Sequence, residues 1–247
     1  MDITIVIPAY NEERRIGPTL EAYLSSFTEL GRSFEVLVVL NGCRDNTLGV
    51  VEEAARRWGR VRWVVFPERL GKGGAVREGL ARAQGERVAF VDADNMVGPR
   101  EAYRLLERLA QVDIAIASRY IPGARRLRPP PWRRRVAAWV FRQMVRVVVG
   151  LPFRDTQCGA KAFRAEAVQR LLPHLQERGW AFDVEMLALA LDMGLTIAEV
   201  PVEWDFAARG SKMPTLRAAL GMLWTVFRVR QRRRQWRQAL AQAQQRG

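Results

Sequence analysis

The sequence has few of the side chains that most often carry zinc binding or nucleophilic catalysis. Among its 247 residues there is one histidine, His174, and there are two cysteines, Cys43 and Cys158, which do not form a C-x-x-C pair. These three residues cannot build a zinc site, and they do not support a thiol–histidine catalytic pair. We therefore expect two reduced thiols and no disulfide framework.

Long apolar runs are missing as well. The longest uncharged apolar stretches are well short of the ~20 residues that a membrane-spanning helix needs, so no transmembrane helix is expected. The N-terminus begins with a strand-like run at residues 3–7 and carries neither a basic region nor a cleavage site, so no signal peptide is expected. With 49% apolar residues, the chain can form the core of one globular domain with a short appendage.

Acidic residues are missing from two long segments. Nine basic residues and no acidic residue lie between Arg119 and Gly150, and ten basic residues and no acidic residue lie between Phe206 and Gly247. The remainder holds 21 basic and 26 acidic residues, so the formal net charge of +14 comes from these two segments. Such segments are typical of surfaces that contact polyanions, either nucleic acid or anionic lipid.

What is present, up to about residue 118, is an alternation of short apolar runs and helical patterns. The apolar runs are rich in Val and Ile, as in strands that are buried on both faces of a parallel sheet. They cover residues 3–7, 34–40, 61–66, 88–91 and 113–117. The helical patterns cover residues 13–30, 47–58, 74–83 and 99–110. This order predicts an open α/β sheet, mostly parallel, with helices on both faces.

Polar side chains converge where these strands end, which is the edge at which such sheets bind ligands. Asp92 and Asp94 are two residues apart at the end of the fourth strand, so their side chains point to the same side. Two such carboxylates repel each other unless a cation lies between them, and Mg²⁺ or Mn²⁺ suits oxygen ligands. The alternative is that both residues form the turn that leads into the helix beginning at Pro99.

Two further loops at this edge carry candidate nucleotide ligands. Lys72 lies in a Gly-Lys-Gly-Gly run that opens a helix, and helix N-termini favour anions. The run is not a Walker A loop, because Phe66 replaces its first glycine and Gly73 replaces the Ser or Thr after the lysine. A loop that only needs glycine geometry is the alternative. Asp45, after the second strand, is a candidate to bind a base or ribose, or simply to form a turn.

Two apolar stretches flanked by basic residues come later. Residues 131–151 begin with a Pro-Trp-Arg-Arg-Arg run and predict an amphipathic helix, and residues 214–247 predict a basic helix that ends in a polar tail from Gln235. Both are too short to span a bilayer but are suited to its interface. The alternative is that they bury their apolar faces within the protein or in a homodimer.

Taken together, these residues resemble the family-2 glycosyltransferases of the GT-A fold, and in particular the dolichyl- or polyprenyl-phosphate glucosyl- and mannosyltransferases. The resemblance covers residues 2–228 and includes the opening run at residues 5–13, the Asp92-Ala93-Asp94 metal motif and the Ser118-Arg119-Tyr120 segment. It implies metal ligands at Asp92 and Asp94, and catalytic roles for Asp94 and Arg119. The expected nucleotide-binding residues are Pro8, Ala9, Tyr10, Glu12, Asp45, Lys72 and Asp92.

Three later stretches, at residues 155–159, 180–185 and 199–212, are similar to the dolichyl-phosphate β-glucosyltransferases in particular. They add residues of a possible donor or acceptor loop, namely Asp155, Gln157, Asp183, Glu185, Ser211 and Lys212. The sequence also departs from the pattern. Met96 stands where some relatives have a metal-associated glutamine. A transmembrane anchor, which many relatives carry, is not expected here.

The resemblance implies an inverting transfer of a sugar from a nucleotide diphosphate, UDP-glucose rather than GDP-mannose, to a polyprenyl phosphate. Arg119 and one of Arg133, Arg134 and Arg135 are expected to bind the acceptor phosphate. Residues 1–213 would form the catalytic domain, and the protein would be cytoplasmic and peripheral at the inner face of the membrane. The main alternative is a soluble family-2 enzyme with a small or protein acceptor. Nucleic acid is not an expected partner, because the basic segments alternate with aliphatic runs and no reader motif is present.

Overall fold

The computed structural model describes residues 1–206 and 216–244, with side chains described up to residue 206 and from 221 to 237. The strands are β1 (Ile3–Ala9), β2 (Phe34–Asn41), β3 (Val61–Phe66), β4 (Arg87–Val91), β5 (Ile114–Ser118), β6 (Arg125–Arg128), β7 (Ala160–Arg164), β8 (Ile197–Pro201) and β9 (Glu203–Asp205). The helices are α1 (Ile16–Glu29), α2 (Thr47–Trp58), α3 (Lys72–Arg82), α4 (Pro99–Arg108), α5 (Trp132–Met144), α6 (Ala165–Leu171), α7 (Phe182–Asp192) and α8 (Leu216–Gln244).

Seven strands form one sheet in the order β3-β2-β1-β4-β7-β5-β8, and β6 pairs with β9 beside it. All neighbours in the large sheet are parallel except β7, which is antiparallel to both β4 and β5. The predicted open, mostly parallel α/β sheet is thus confirmed. Strand β3 differs from the expectation of two buried faces, because it is an edge strand and exposes Trp63 and Val65.

Helices cover both faces of the sheet, as predicted. The core on one face joins the sheet to α1, α2 and α4, and the core on the other joins it to α3, α6, α7 and α8. Local sequence explains two helix ends: Pro99 occupies the first turn of α4, and Gly59 ends α2 with a φ of +64°. The fold therefore directs the carboxyl ends of β1, β2, β4 and β5 to one edge.

One side of helix α8 packs against the rest of the chain, as in the alternative that the sequence left open, while Trp224 and Phe227 stay exposed. Val226 and Val229 are fully buried in the core shared with α7. The polar tail expected from Gln235 is wrong, since the helix continues to Gln244. Trp236 packs against the core, and Arg237 Nε lies 2.8 Å from Asp192 Oδ1, which holds this part of the helix in place.

Helix α5 is the opposite case, since none of its residues is buried. Trp132 is 67% exposed and Trp139 is 55% exposed, and Val147, in the π-helical turn that extends α5 over Val145–Val149, is 79% exposed. Within the residues that the structure describes, no helix is both long enough and apolar enough to cross a bilayer.

Candidate functional site

Asp92 lies directly after β4 and packs against the loop that leads into β7. Its N–H donates to the carbonyl of Gly159 at 3.0 Å, and its carboxylate lies over the Cα of Gly159. A Cβ at position 159 would lie 2.6 Å from Asp92 Cγ and closer still to Oδ2, so only glycine leaves room for this orientation. Lys72 Nζ lies 2.7 Å from Asp92 Oδ1.

Asp94 is the second carboxylate of the pair. Met96 N–H donates to its Oδ1 at 3.2 Å, and Arg15 Nη1 lies 3.9 Å from its Oδ2. Burial and the neighbouring charge of Asp92 raise the pKa of Asp94 to about 6. No third Asp, Glu, His or Cys joins the pair in the described part of the chain. Lys72 and Arg15 only partly offset the repulsion between the two carboxylates, since the pKa of Asp94 stays raised. Two such oxygen donors fit a hard divalent cation that takes its other ligands from a substrate or water.

The raised pKa of Asp94 predicts a pH dependence of cation binding. Protonation of Asp94 removes one of the two negative charges. The Mn²⁺ affinity should therefore be highest and constant at pH values above the pKa of about 6, and it should decrease as the pH falls below that value. The decrease should approach roughly tenfold per pH unit, because one proton competes with the cation. Mn²⁺ titrations followed by electron paramagnetic resonance near pH 5 and pH 7 measure this, with Asp94→Asn as the control. Equal affinity at both pH values would contradict the assignment.

The glycine-rich loop before α3 positions Lys72 but does not offer a free helix N-terminus. Gly71 has a φ of +82°, which glycine adopts without strain. The N–H groups of Gly73 and Gly74 donate to the carbonyls of Gly179 and Arg178, at 3.3 and 3.2 Å. The expectation that these amides bind an anion is therefore corrected, because the segment before α7 already accepts their hydrogen bonds. The side chain of Lys72 is the cationic group of this loop.

A second ion pair, between Lys161 and Asp183, is more deeply buried and acts electrostatically on Lys72. Lys161 of β7 is fully buried, and its Nζ lies 2.6 Å from Asp183 Oδ1 and donates to the Cys158 carbonyl at 3.0 Å. Burial raises the pKa of Asp183 even though Lys161 opposes the shift. Burial lowers the pKa of Lys72, but Asp92 and Asp183 outweigh it, and the pKa is raised. Asp183, which the sequence predicted as part of a donor or acceptor loop, thus influences Lys72 from a buried position in the core.

The predicted nucleotide residues lie along the ends of β1 and β2. Pro8 and Ala9 belong to β1 itself, and Tyr10 follows, with the Arg69 guanidinium 4.3 Å from its ring. Glu12 accepts two hydrogen bonds of 2.6 Å from Arg15, the residue that also approaches Asp94.

Asp45 is held from two sides. It accepts hydrogen bonds from the N–H groups of Glu13 and Thr47, both at 3.2 Å. Its burial works against ionisation, but these bonds and the one from the Thr47 hydroxyl lower its pKa. Asp45 therefore both forms the turn before α2 and ties the β1 and β2 loops together.

Arg119 follows β5 and forms a buried pair with Asp155. Its Nε and Nη2 donate to the two carboxylate oxygens at 2.7 and 2.9 Å, and its backbone N–H donates to Oδ2 at 2.9 Å. Burial opposes the ionisation of Asp155, but the charge of Arg119 lowers its pKa. Glu199 accepts from the N–H groups of Arg154 and Asp155 and so fixes this loop.

The other predicted residues do not all meet at this edge. Arg133 and Arg135 are exposed in the first turn of α5, while Arg134 lies 5.1 Å from the ring of Phe206. Glu185 is fully buried and accepts from Arg232 of α8 at 2.6 Å, so it anchors that helix. The remaining predicted loop residues are Gln157, which is half-buried, and Ser211 and Lys212, which lie outside the described residues.

Sequence reasoning missed three residues that shape the site: Arg15, Gly159 and Lys161. Gly159 was visible in the run at residues 155–159, but nothing in that run indicates which side chain needs the space. Lys161 had no signal, because a lysine within a short apolar run reads as an exposed position. Its strand, β7, was not predicted.

A family model described as "Glycosyl transferase family 2" matches residues 4–172. The chain belongs to glycosyl transferase family 2. It is 32% identical to glycosyltransferase AglD of Haloferax volcanii over 226 aligned residues. The alignment covers 90% of this chain and 36% of that protein. It is 34% identical over 214 residues to dolichyl-phosphate beta-glucosyltransferase ALG5C of Trichomonas vaginalis, with 82% of this chain and 63% of that protein covered. The chain thus spans less than two thirds of the length of either relative.

Other family 2 proteins extend the comparison. The dolichyl-phosphate beta-glucosyltransferase of Homo sapiens is 31% identical over 225 residues, which is 85% of this chain and 69% of that protein. Among solved structures, glucosyl-3-phosphoglycerate synthase of Mycobacterium tuberculosis in complex with Mn²⁺, UDP-glucose and phosphoglyceric acid superimposes with a TM-score of 0.69 at 24% identity. It covers 94% of this chain and 79% of that chain, and it supports the fold.

Proposed function

We propose that this family 2 glycosyltransferase transfers glucose from UDP-glucose to a polyprenyl or dolichyl phosphate, with inversion at C1. One observation carries the proposal: a single loop, residues 155–159, contacts both halves of the site. At its start Asp155 binds Arg119, and at its end Gly159 binds Asp92. The carboxylates after β4 and the guanidinium after β5 are separated by one strand, β7, or roughly 10 Å at the usual strand spacing. This distance suits a diphosphate donor beside an anionic acceptor.

The reaction is a single displacement. An oxygen of the acceptor phosphate attacks C1 of glucose, the bond from C1 to the β-phosphate oxygen breaks, and the electron pair leaves with UDP. A phosphate monoester has a second pKa near ~6 and is already anionic at neutral pH, so the attack needs no strong base. A divalent cation held by Asp92 and Asp94, Mg²⁺ or Mn²⁺, would neutralise the charge that develops on the leaving diphosphate.

The residues of the chain supply orientation and charge. Lys72 adds a cation beside Asp92, where the leaving diphosphate would lie. The negative charge of Asp183, which is paired with Lys161, helps to keep Lys72 protonated by raising its pKa. Arg119 is held in one orientation by two hydrogen bonds to Asp155, so its charge is already directed when the acceptor arrives. The names of the dolichyl-phosphate relatives support the lipid acceptor.

The test is transfer of radiolabelled glucose from UDP-glucose to polyprenyl phosphate in detergent, with Mg²⁺ or Mn²⁺ present. We expect label in the organic phase that depends on the cation and is lost in Asp94→Asn. GDP-mannose, run in parallel, should transfer little label. Cation-dependent release of UDP without labelled lipid would contradict the proposed acceptor and favour a soluble one.

We also propose that the enzyme acts at an anionic membrane surface through α5. The exposed apolar side chains of this helix and the π-helical turn lie four, seven, eight and fifteen residues after the first one, which places them on one stripe. They are Trp132, Val136, Trp139, Val140 and Val147. Exposed arginines border the stripe, and no acidic residue lies between Arg119 and Gly150. Tryptophan and arginine together suit the interface of an anionic bilayer.

The double variant Trp132→Ala/Trp139→Ala should therefore lose most of its co-sedimentation with vesicles that contain about a third phosphatidylglycerol. Trp63→Ala is the matched control, because Trp63 is an exposed tryptophan on the edge strand β3. Unchanged sedimentation of the double variant would contradict membrane docking. A dimer that dissociates in the double variant would instead assign the stripe to a homodimer interface.

A further inference from the structure

Tyr120, the residue after Arg119, is surrounded by guanidinium groups. The Arg142 guanidinium carbon lies 3.5 Å from the centre of its ring, that of Arg126 lies 5.4 Å away, and that of Arg119 lies 5.5 Å away. Arg142 comes from α5 and Arg126 from β6, so three separate elements direct a cation to one aromatic ring. Each contact with the ring is favourable, but the three charges repel one another.

Carboxylates do not balance this cluster. Arg119 has Asp155, but within the described residues no carboxylate pairs with Arg126 or Arg142. The other arginines of β6 differ from Arg126, because Arg125 Nη1 lies 3.3 Å from Glu203 Oε2 and Arg128 donates to the carboxylate of Asp205 in β9. Arg126 is therefore the arginine of β6 that turns away from these carboxylates and toward Tyr120. The cluster keeps a net charge of about +2, which matches a phosphate monoester near neutral pH.

Hydrogen-bonding groups in this region also lack partners. Arg142 Nη1 is buried and has no hydrogen-bond acceptor in the described part of the protein. Two further buried groups without partners flank the Arg119–Asp155 pair in the sequence, Ser118 Oγ and Thr156 Oγ1. Buried polar atoms without partners are rare in native proteins, and a guanidinium N–H is among the costliest to leave unpaired. Among the described residues these atoms have no partner, so an anion bound here could accept from Arg142 Nη1 and from the two hydroxyl groups.

We propose that Arg126 and Arg142, together with Arg119, form an anion pocket around Tyr120 that binds the phosphate monoester of the acceptor. This inference rests on the proposed function and makes it more specific. It transfers the second phosphate-binding role from Arg133, Arg134 and Arg135 to two arginines whose guanidinium groups lie near the ring of Tyr120, as that of Arg119 does. Because Arg142 belongs to α5, the same helix carries the apolar stripe and a phosphate ligand, which joins the headgroup site to the lipid surface.

The first experiment compares Arg126→Met and Arg142→Met in the full chain. Each variant should raise the KM for polyprenyl phosphate by roughly 10- to 100-fold, the effect of one charge-assisted hydrogen bond. The KM for UDP-glucose should stay within about threefold. Arg142→Lys keeps the positive charge but not the planar guanidinium that can donate two parallel hydrogen bonds, so its KM for polyprenyl phosphate should lie between those of Arg142→Met and the unmodified protein. Arg125→Met and Arg146→Met are matched controls from the same strand and the same helical segment, and both should resemble the unmodified protein.

A second experiment keeps the pocket testable if no lipid is glucosylated. Calorimetric titration with inorganic phosphate and with geranyl phosphate should show binding that is lost in Arg142→Met. Binding of both ligands assigns the pocket to the phosphate group, whereas binding of geranyl phosphate alone assigns it to a prenyl phosphate. The proposal is overturned if neither ligand binds, if Arg126→Met and Arg142→Met leave the acceptor KM and phosphate binding unchanged, or if both variants raise the donor KM equally.

Discussion

Replacing Gly159 by alanine is expected to weaken Mn²⁺ binding by roughly 10- to 100-fold, the usual cost of disturbing a residue that orients a metal ligand. The added methyl carbon would lie 2.6 Å from Asp92 Cγ, so the Asp92 side chain must rotate away. Rotation separates its carboxylate from Lys72 and from Asp94. The backbone needs to shift by only a few tenths of an ångström, because Asp92 Cβ, which side-chain rotation does not move, would lie 3.3 Å from the added carbon.

Mn²⁺ titration followed by electron paramagnetic resonance measures this effect without any substrate. Gly179→Ala is the matched control, since a methyl group there has no atom within 4 Å. Thermal unfolding should be nearly equal for both variants. If Gly159→Ala binds Mn²⁺ as tightly as the unmodified protein does, then Asp92 in the orientation fixed by Gly159 is not a metal ligand.

Replacing Arg232 by methionine is expected to lower the free energy of unfolding by about 3 kcal/mol, as for a buried ion pair that loses one partner. Arg232 Nη1 lies 2.6 Å from Oε1 of Glu185, which is fully buried. The other oxygen of Glu185 accepts the N–H groups of Gln176 and Glu177 at 3.0 and 2.7 Å. Without Arg232 the buried carboxylate loses its cationic partner, so α8 should detach from α7 more easily.

Chemical denaturation at neutral pH measures the loss. Arg234→Met serves as the control, because Arg234 is exposed on the same helix and should change stability by no more than about 0.5 kcal/mol. The double variant Arg232→Met/Glu185→Leu should regain much of the loss, since it removes the buried charge as well. A single variant as stable as its control would mean that α8 is not held by this pair.

The two predictions concern one connected structure. Asp183 and Glu185 lie in the first turn of α7, where Lys161 of β7 and Arg232 of α8 pair with them. The segment just before α7 supplies the carbonyls that accept from Gly73 and Gly74 beside Lys72. Helix α8 is thus connected through α7 to the candidate site, although none of its described side chains contacts Asp92, Asp94 or Arg119.

The sequence by itself determined the mostly parallel α/β sheet and the edge where its loops converge, and it predicted Asp92 and Asp94 as a pair at that edge. These features depend on local information, because apolar periodicity reports burial along a strand and a two-residue spacing sets the side to which two side chains point. The same information predicted all five strands up to Ser118. It failed for β7, a short strand with a lysine in the middle and an antiparallel direction.

The tertiary structure alone decided which charges pair. Arg119 meets Asp155 across 36 positions, Arg232 meets Glu185 across 47 positions, and Arg142 meets Tyr120 between α5 and the end of β5. A basic residue has the same local pattern whether it faces lipid, phosphate or a distant carboxylate. The arginines of the two acid-free segments therefore have different surroundings: α8 pairs Arg232, Arg233 and Arg237 with carboxylates of α7. Helix α5 instead leaves Arg133 and Arg135 exposed and places Arg142 against Tyr120.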